Sequence, residues 1–276
     1  MSMDTPSAYK GFNLDAGDRI LFFLKIGVVA LVFLTFGVGA TAILTGAACA
    51  AMAYEWFRMT TGGRDFDEPI IGIALIAGAL PPFATFAVGA GGGAALACLA
   101  SAFFLIMGPK QNGMLAKTAL GLAVIGLAGV CFVWMRDHGA HGLGLTAWLI
   151  FVAVASEAGG TLYALTKPED REPPHRIIPG VVCGVIAGCV AAAFYRSGNP
   201  AWVIVTSLIT ALVVVTAGML TQRIRQSVDT AQGGSLFMGR GAVIEQVDGL
   251  VWASLFAGAL MMVTSALFGI GVLFDW

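Results

Sequence analysis

Charge is what this sequence has least of. Asp, Glu, Lys and Arg together make up 11% of its 276 residues, against 58% hydrophobic. A soluble domain usually wets its surface with roughly 25% charged residues, so the missing polar surface must face lipid. The formal net charge of −1 leaves no basic face or stripe of the kind that holds nucleic acid, and that class of partner is excluded. Cysteine is scarce too. Cys49, Cys98, Cys131, Cys183 and Cys189 are odd in number, lie inside apolar runs and show no ligand spacing, which makes them small buried hydrophobes by expectation. There is no phosphate-cradling Gly-rich loop, no zinc-protease helix motif and no nucleophile elbow. Residues 1–19 lack the basic start, short apolar stretch and small-residue cleavage site of a removable signal, so the first apolar helix is expected to be retained as an anchor.

What the chain does have is long apolar runs. A bilayer core takes about 20 residues per helix, and cutting at glycine-rich or charged breaks gives nine spans. They run approximately 20–37, 39–57, 69–88, 91–107, 115–135, 143–166, 177–195, 200–221 and 249–274. Pro81-Pro82 and Gly89-Ala90-Gly91-Gly92-Gly93 leave the third and fourth least defined, with a kinked or re-entrant segment as an alternative. The expected fold class is an all-α integral membrane protein of about nine transmembrane helices, one polytopic domain over residues 1–276. Lys and Arg gather on the side that is not translocated. With the N-terminus cytoplasmic, 13 of the 15 Lys and Arg residues fall on inner segments and only Arg136 and Arg196 on outer loops. The expected location is therefore the cytoplasmic (inner) membrane, crossed several times. Trp134, Trp148, Trp202 and Trp276 fall near outer ends and Trp56 and Trp252 near inner ones, as interfacial rings should. The polar loops 167–176 and 222–248 fall on the cytoplasmic side, where nucleotides are.

Few polar residues interrupt the spans. Glu157 lies near the middle of the sixth, and an ionisable group at that depth is expensive and usually functional; the alternative is a protonated or hydrogen-bonded structural carboxyl. Around it Ala155, Ser156, Ala158, Gly159 and Gly160 would let a neighbouring helix or a lipid headgroup come close. Glu55, at the inner end of the second span, is placed to pair with Arg58 at i+3. His138 and His141, beside Asp137, could outline a metal site, but two histidines in a glycine-rich loop are weak evidence for one, and a solvated turn is the simpler reading.

The segment TQRIRQSVDTAQGGSLFMGRGAVIEQVDGLVWASLF resembles the C-terminal signature of phosphatidate cytidylyltransferases, the CDP-diacylglycerol synthases. That signature runs from a basic pair through Lys-Asp and Pro-Gly-His-Gly-Gly to Asp-Arg-x-Asp and a final helix. AAMAYEWFRM resembles the family's Tyr-Glu-Trp-x-Arg at the close of its second helix. Size, helix count and the cytoplasmic signature loop agree, so the resemblance covers the whole chain. The motifs themselves are degenerate. Lys-Asp falls on Ala231-Gln232, Pro-Gly-His-Gly-Gly on Met238-Gly239-Arg240-Gly241-Ala242, and Asp-Arg-x-Asp on Glu245-Gln246-Val247-Asp248. Arg223 and Arg225 stand near the basic pair. An upstream Ser-Pro-x-Lys-Thr-x-Glu-Gly falls on Ile177 to Gly184, without any of its charged or hydroxyl residues, and an Asp-containing motif falls near Ser156-Glu157.

Joining a lipid phosphate to the α-phosphate of CTP brings two polyanions together. It calls for divalent metal and cations placed on the transferring phosphates. The resemblance therefore implies a non-catalytic relative, a lipid-binding or structural subunit of a membrane assembly with no cofactor expected. The alternative is an active, divergent synthase in which Glu157, Glu245 and Asp248 serve catalysis, Glu245 and Asp248 holding Mg²⁺. In either case Arg223, Arg225 and Arg240 are the candidates for lipid phosphate. The expected partners are membrane phospholipid and a larger membrane complex or a second copy of the chain.

Overall fold

The structure, a computed structural model, describes residues 16–60, 68–107, 114–166, 173–194, 200–228 and 243–268. Among these residues the chain is entirely helical. Nine α-helices follow in order: α1 Ala16–Thr35, α2 Val38–Thr60, α3 Glu68–Val88, α4 Ala90–Met107, α5 Met114–Arg136, α6 Gly142–Thr166, α7 Ile177–Phe194, α8 Pro200–Val228 and α9 Val243–Phe268. Helices are the expected solution for a lipid-embedded chain because each closes its own backbone hydrogen bonds. Seven of them (α2, α3 and α5 to α9) are long and apolar enough to cross a membrane. Among the described residues the apolar stretches of α1 and α4 are shorter, Leu24–Thr35 and Ala90–Ile106. The protein is thus an all-α membrane protein.

Breaks between helices fall where the backbone needs glycine. Gly37 (φ 99°) separates α1 from α2, and Gly89 (φ 86°) separates α3 from α4, both in the left-handed region that side chains disfavour. Pro81 and Pro82 lie inside α3 without ending it. Close neighbours hold that helix in place: Gly126 of α5 faces Pro81, and Gly129 faces Pro82 and Cys49. α3 continues through both prolines and turns into α4 at one residue.

Helices α2 to α5 form one group and α6 to α8 another. α9 packs against both α5 and α8, and α1 leans mainly on α6. The largest core cluster surrounds Trp148 and draws on α1, α5, α6, α7, α8 and α9. A second joins Cys49, Met52 and Met59 of α2 to Ile125 and Ala128 of α5 and Val251 of α9. The third fills the α2–α5 group, where Phe57 and Phe104 meet edge to face at 5.8 Å. Large apolar side chains such as Val182, Ile186 and Phe194 of α7 are exposed, as a lipid-facing surface requires.

Three sequence expectations are corrected. Trp148 is not an interfacial ring: it is 1% exposed and its indole Nε1 donates to Ser207 Oγ at 3.1 Å. Cys98 is exposed on α4, although Cys49 and Cys131 are buried as expected. The segment 222–248 is not one loop, because α8 continues to Val228 and α9 already begins at Val243. Gln and Arg are good helix formers, so the charged stretch Gln222-Arg223-Ile224-Arg225 ends the apolar span without ending the helix.

If all nine helices cross with the basic segments inside, as the charge distribution predicts, the two chain termini lie on opposite sides of the membrane. A periplasmic-type reporter fused after Trp276 should be active, and a cytoplasmic-type reporter silent; the reverse pattern would overturn the assigned orientation.

Candidate functional site

Glu157 marks the site. It lies in α6 one helical turn before Gly160 and is half-buried. On one side α9 comes up against it: a β-carbon built on Gly249 would lie 2.8 Å from Glu157 Oε1 and 2.8 Å from Val214 Cγ1 of α8. A side chain at 249 would have to displace the ends of Glu157 and Val214. Asp248 is the next residue along α9. It is 6% exposed, and its Oδ1 accepts a hydrogen bond from Gly249 N at 2.7 Å. The carboxyl groups of Glu157 and Asp248 therefore both sit beside Gly249, a juxtaposition of α6 and α9 that connects residues 91 positions apart in the chain.

Glu157 also borders a small, partly open pocket of about 30 Å³ between α1, α6 and α9. The remaining wall is aliphatic: Ile26, Gly27 and Ala30 of α1, Ile150, Ala153 and Val154 of α6, and Val247 and Leu250 of α9. The small residues flanking Glu157 in sequence thus admit neighbouring helices. Gly159 lies against Cys183 of α7, and Gly160 lies under Arg176.

Arg176 is a basic residue that sequence reasoning counted but did not assign to the site. It closes the 3₁₀ turn Pro173–Arg176 that leads into α7. A β-carbon on Gly160 would make ordinary van der Waals contact with Arg176, 3.4 Å from its O and 3.6 Å from its Cβ, so this residue lies over α6 one turn from Glu157. The pair Gly159-Gly160, following an intramembrane carboxylate, was the available signal.

Arg223 and Arg225 belong to the last turns of α8, and Glu245 to the first turn of α9, the same end of the bundle as Asp248; their side chains lie outside the described residues. Arg240 lies outside them entirely. Glu55 of α2 is 1% exposed, deeper than an interfacial residue, while Arg58 donates from Nη1 to Tyr54 Oη at 3.2 Å and lies 5.9 Å from the Tyr54 ring centroid. At the opposite end, His138 meets the edge of Trp134 at 6.2 Å, and His141 is exposed in the turn Gly139–His141.

A magnesium ion is the cofactor that cytidylyl transfer would need. Mg²⁺ is usually held by one or two carboxylates together with substrate phosphates and water. Among the described residues no three His, Cys, Asp or Glu side chains gather. Asp248 turns one oxygen back onto its own helix, and Glu157 faces an aliphatic wall. Glu245, the other carboxylate that the resemblance would place on such an ion, has its side chain outside the described residues.

Fold and site together define a multi-pass helical membrane protein with a carboxyl-bearing, otherwise aliphatic pocket near one end of its bundle. Comparison with known proteins points the same way. The chain is similar to the phosphatidate cytidylyltransferase of Helicobacter pylori strain 26695, 27% identical over 134 residues, covering 46% of this chain and 49% of that protein. It is likewise 26% identical over 128 residues to the enzyme of the same name from strain J99, covering 44% and 47%. The chain thus spans about half the length of the curated relatives it matches. No family model matches it.

Proposed function

We propose that this protein is a phosphatidate cytidylyltransferase-like subunit of the cytoplasmic membrane that binds phospholipid and does not transfer a cytidylyl group. The observation that carries this reading is the wall of the pocket beside Glu157. Eight of its nine lining residues are aliphatic or glycine. Such a wall suits an acyl chain or glycerol backbone and offers no cation to a triphosphate. The degenerate signature supports the same conclusion, since the position of the family's metal-binding Asp carries Gln232 and its lysines are absent. Losing one contact that stabilises transition-state charge costs about 2.7–4 kcal/mol, and several are missing together.

The lipid phosphate is assigned to the basic end. Arg223 and Arg225 at the end of α8, Arg240 after them in sequence and Arg176 before α7 are the candidate cations. Arginine suits the task because its planar fork binds phosphate oxygens bidentately. At about 1 kcal/mol for each juxtamembrane cation, replacing Arg223 and Arg225 together by alanine should weaken phosphatidate binding by roughly thirtyfold. Unchanged binding would remove these two residues from the site.

The deciding assay is CTP-dependent formation of CDP-diacylglycerol by the purified protein with phosphatidate and Mg²⁺. No product is expected, while mass spectrometry of the purified protein should detect retained phospholipid. Turnover that disappears on Asp248→Asn would overturn this reading in favour of a divergent synthase built on Glu157, Glu245 and Asp248.

A further inference from the structure

We propose that Lys25 holds the headgroup phosphate of an anionic phospholipid against the lipid-facing side of α1, in the leaflet nearer the N-terminal end of that helix. This site lies across α1 from the pocket beside Glu157 and does not use the arginines assigned above.

Leu21, Lys25, Val28 and Val32 recur at intervals of three and four residues and so share one side of the helix. Leu21 is 52% exposed, Val28 59% and Val32 47%, and Lys25 is exposed between them. Ile26, Gly27 and Ala30, which line the pocket, take the other side. The lysine therefore stands within an apolar, lipid-facing stripe rather than at its rim.

Its depth follows from the neighbouring helices. Arg136, which precedes α6, donates to Leu34 O, so the C-terminal end of α1 lies beside the start of α6 and the two helices run antiparallel. Near its other end α6 meets Arg176, the residue before the span Ile177–Phe194, at Gly160. Gly160 thus marks the level at which that span begins. Val154, six residues back along α6, is about 9 Å deeper at 1.5 Å per residue. Gly27 packs against Val154, and Lys25, two residues nearer the N-terminal end, has its backbone about 6 Å below the boundary. A lysine stem can lift its ammonium from there to the level of lipid phosphates.

A charge at such a depth is expensive unless it meets a counter-charge. Arg58 and Arg136 find acceptors within the protein, the Tyr54 hydroxyl and the Leu34 carbonyl. Lys25 has no ion pair with a described residue and faces lipid, where the available counter-charge is a phosphate. Val28 and Val32 continue the stripe below it as an apolar track for an acyl chain. The ammonium is a compact point charge with three donors, which selects for negative charge rather than for one esterified headgroup.

Native mass spectrometry of the full chain tests this, with phosphatidylglycerol or phosphatidylcholine of the same acyl chains added to the micelles. Lys25→Gln should weaken binding of phosphatidylglycerol about fivefold, the effect of one juxtamembrane cation, and leave phosphatidylcholine unchanged. Lys25→Arg should restore the affinity, which a merely misfolded helix would not allow. Added to Arg223→Ala/Arg225→Ala, Lys25→Gln should cost the same factor again. Equal phosphatidylglycerol affinity with and without Lys25 would overturn the proposal and leave a lysine that only reaches for water. Loss of the factor in the Arg223/Arg225 background would also overturn it, by assigning the phosphate to the basic end. Displacement of the lipid by excess inorganic phosphate would overturn it as well, because a stripe within the bilayer is open to lipid and not to a dissolved ion.

Discussion

Trp148→Ala should destabilise the protein by about 3–5 kcal/mol, the range for removing a large aromatic from a packed core. Trp148 is the largest fully buried side chain among the described residues and the hub of the cluster that joins α6 to α1, α5, α7, α8 and α9. Its removal leaves a cavity and takes the indole donor from Ser207, whose hydroxyl is fully buried in α8. Trp148→Phe separates these contributions. Phenylalanine keeps much of the apolar volume and forfeits the hydrogen bond, worth about 0.5–1.5 kcal/mol net, so it should be the milder change. Denaturation in detergent micelles measures both. Equal losses for Ala and Phe would mean that the hydrogen bond, not packing, dominates at this position. The site has a stake in the result, since Trp148 and Glu157 lie on the same helix and the cluster fixes how α6 is set against α9.

Gly184→Leu is expected to have an effect of similar size, roughly 3 kcal/mol or more, at the upper end of what overpacking causes. α7 presents Gly180, Gly184 and Gly188 on one face. A β-carbon on Gly184 would run into Ser156 Oγ and stand 2.7 Å from Ala211 Cβ, and one on Gly188 would stand 2.7 Å from Ser207 Cβ. In lipid the attraction between helices comes from close contact rather than from expulsion of water. A leucine that pries α7 from α6 and α8 therefore removes much of what holds the three together. It would also disturb Ser156, the neighbour of Glu157, and the effect should appear in lipid binding as well as in stability. Gly218→Leu is the control. Position 218 has nothing within 4 Å of a built β-carbon, so leucine there should change stability little. If both substitutions proved equally harmful, packing at the α6–α7–α8 junction would not be the cause, since leucine is a better helix former than glycine.

The sequence by itself determined the class of protein and the positions of its helices. Scarcity of charge required lipid-facing surface, and the alternation of apolar runs with charged breaks marked nine helices close to where they lie, because the thickness of a hydrocarbon layer sets a length that composition alone can satisfy. Glu157 stood out for the same reason: an ionisable group within an apolar span is visible without knowing its neighbours. Boundaries were less legible where span and helix differ. The charges of Arg223 and Arg225 end the span, yet backbone hydrogen bonding carries α8 on to Val228. What only the tertiary structure decided is which way each helix faces. These helices are apolar nearly all round, so polarity does not distinguish a lipid-facing side from a buried one. Trp148, placed by its position in the chain at an interface, is instead drawn into the core by Ser207, 59 residues away. The same is true of the site. Gly249 against Glu157, Gly160 beneath Arg176 and α1 as the outer wall of the pocket are all close approaches set by residue size across helices, and size complementarity between distant segments leaves no periodic mark in a single sequence.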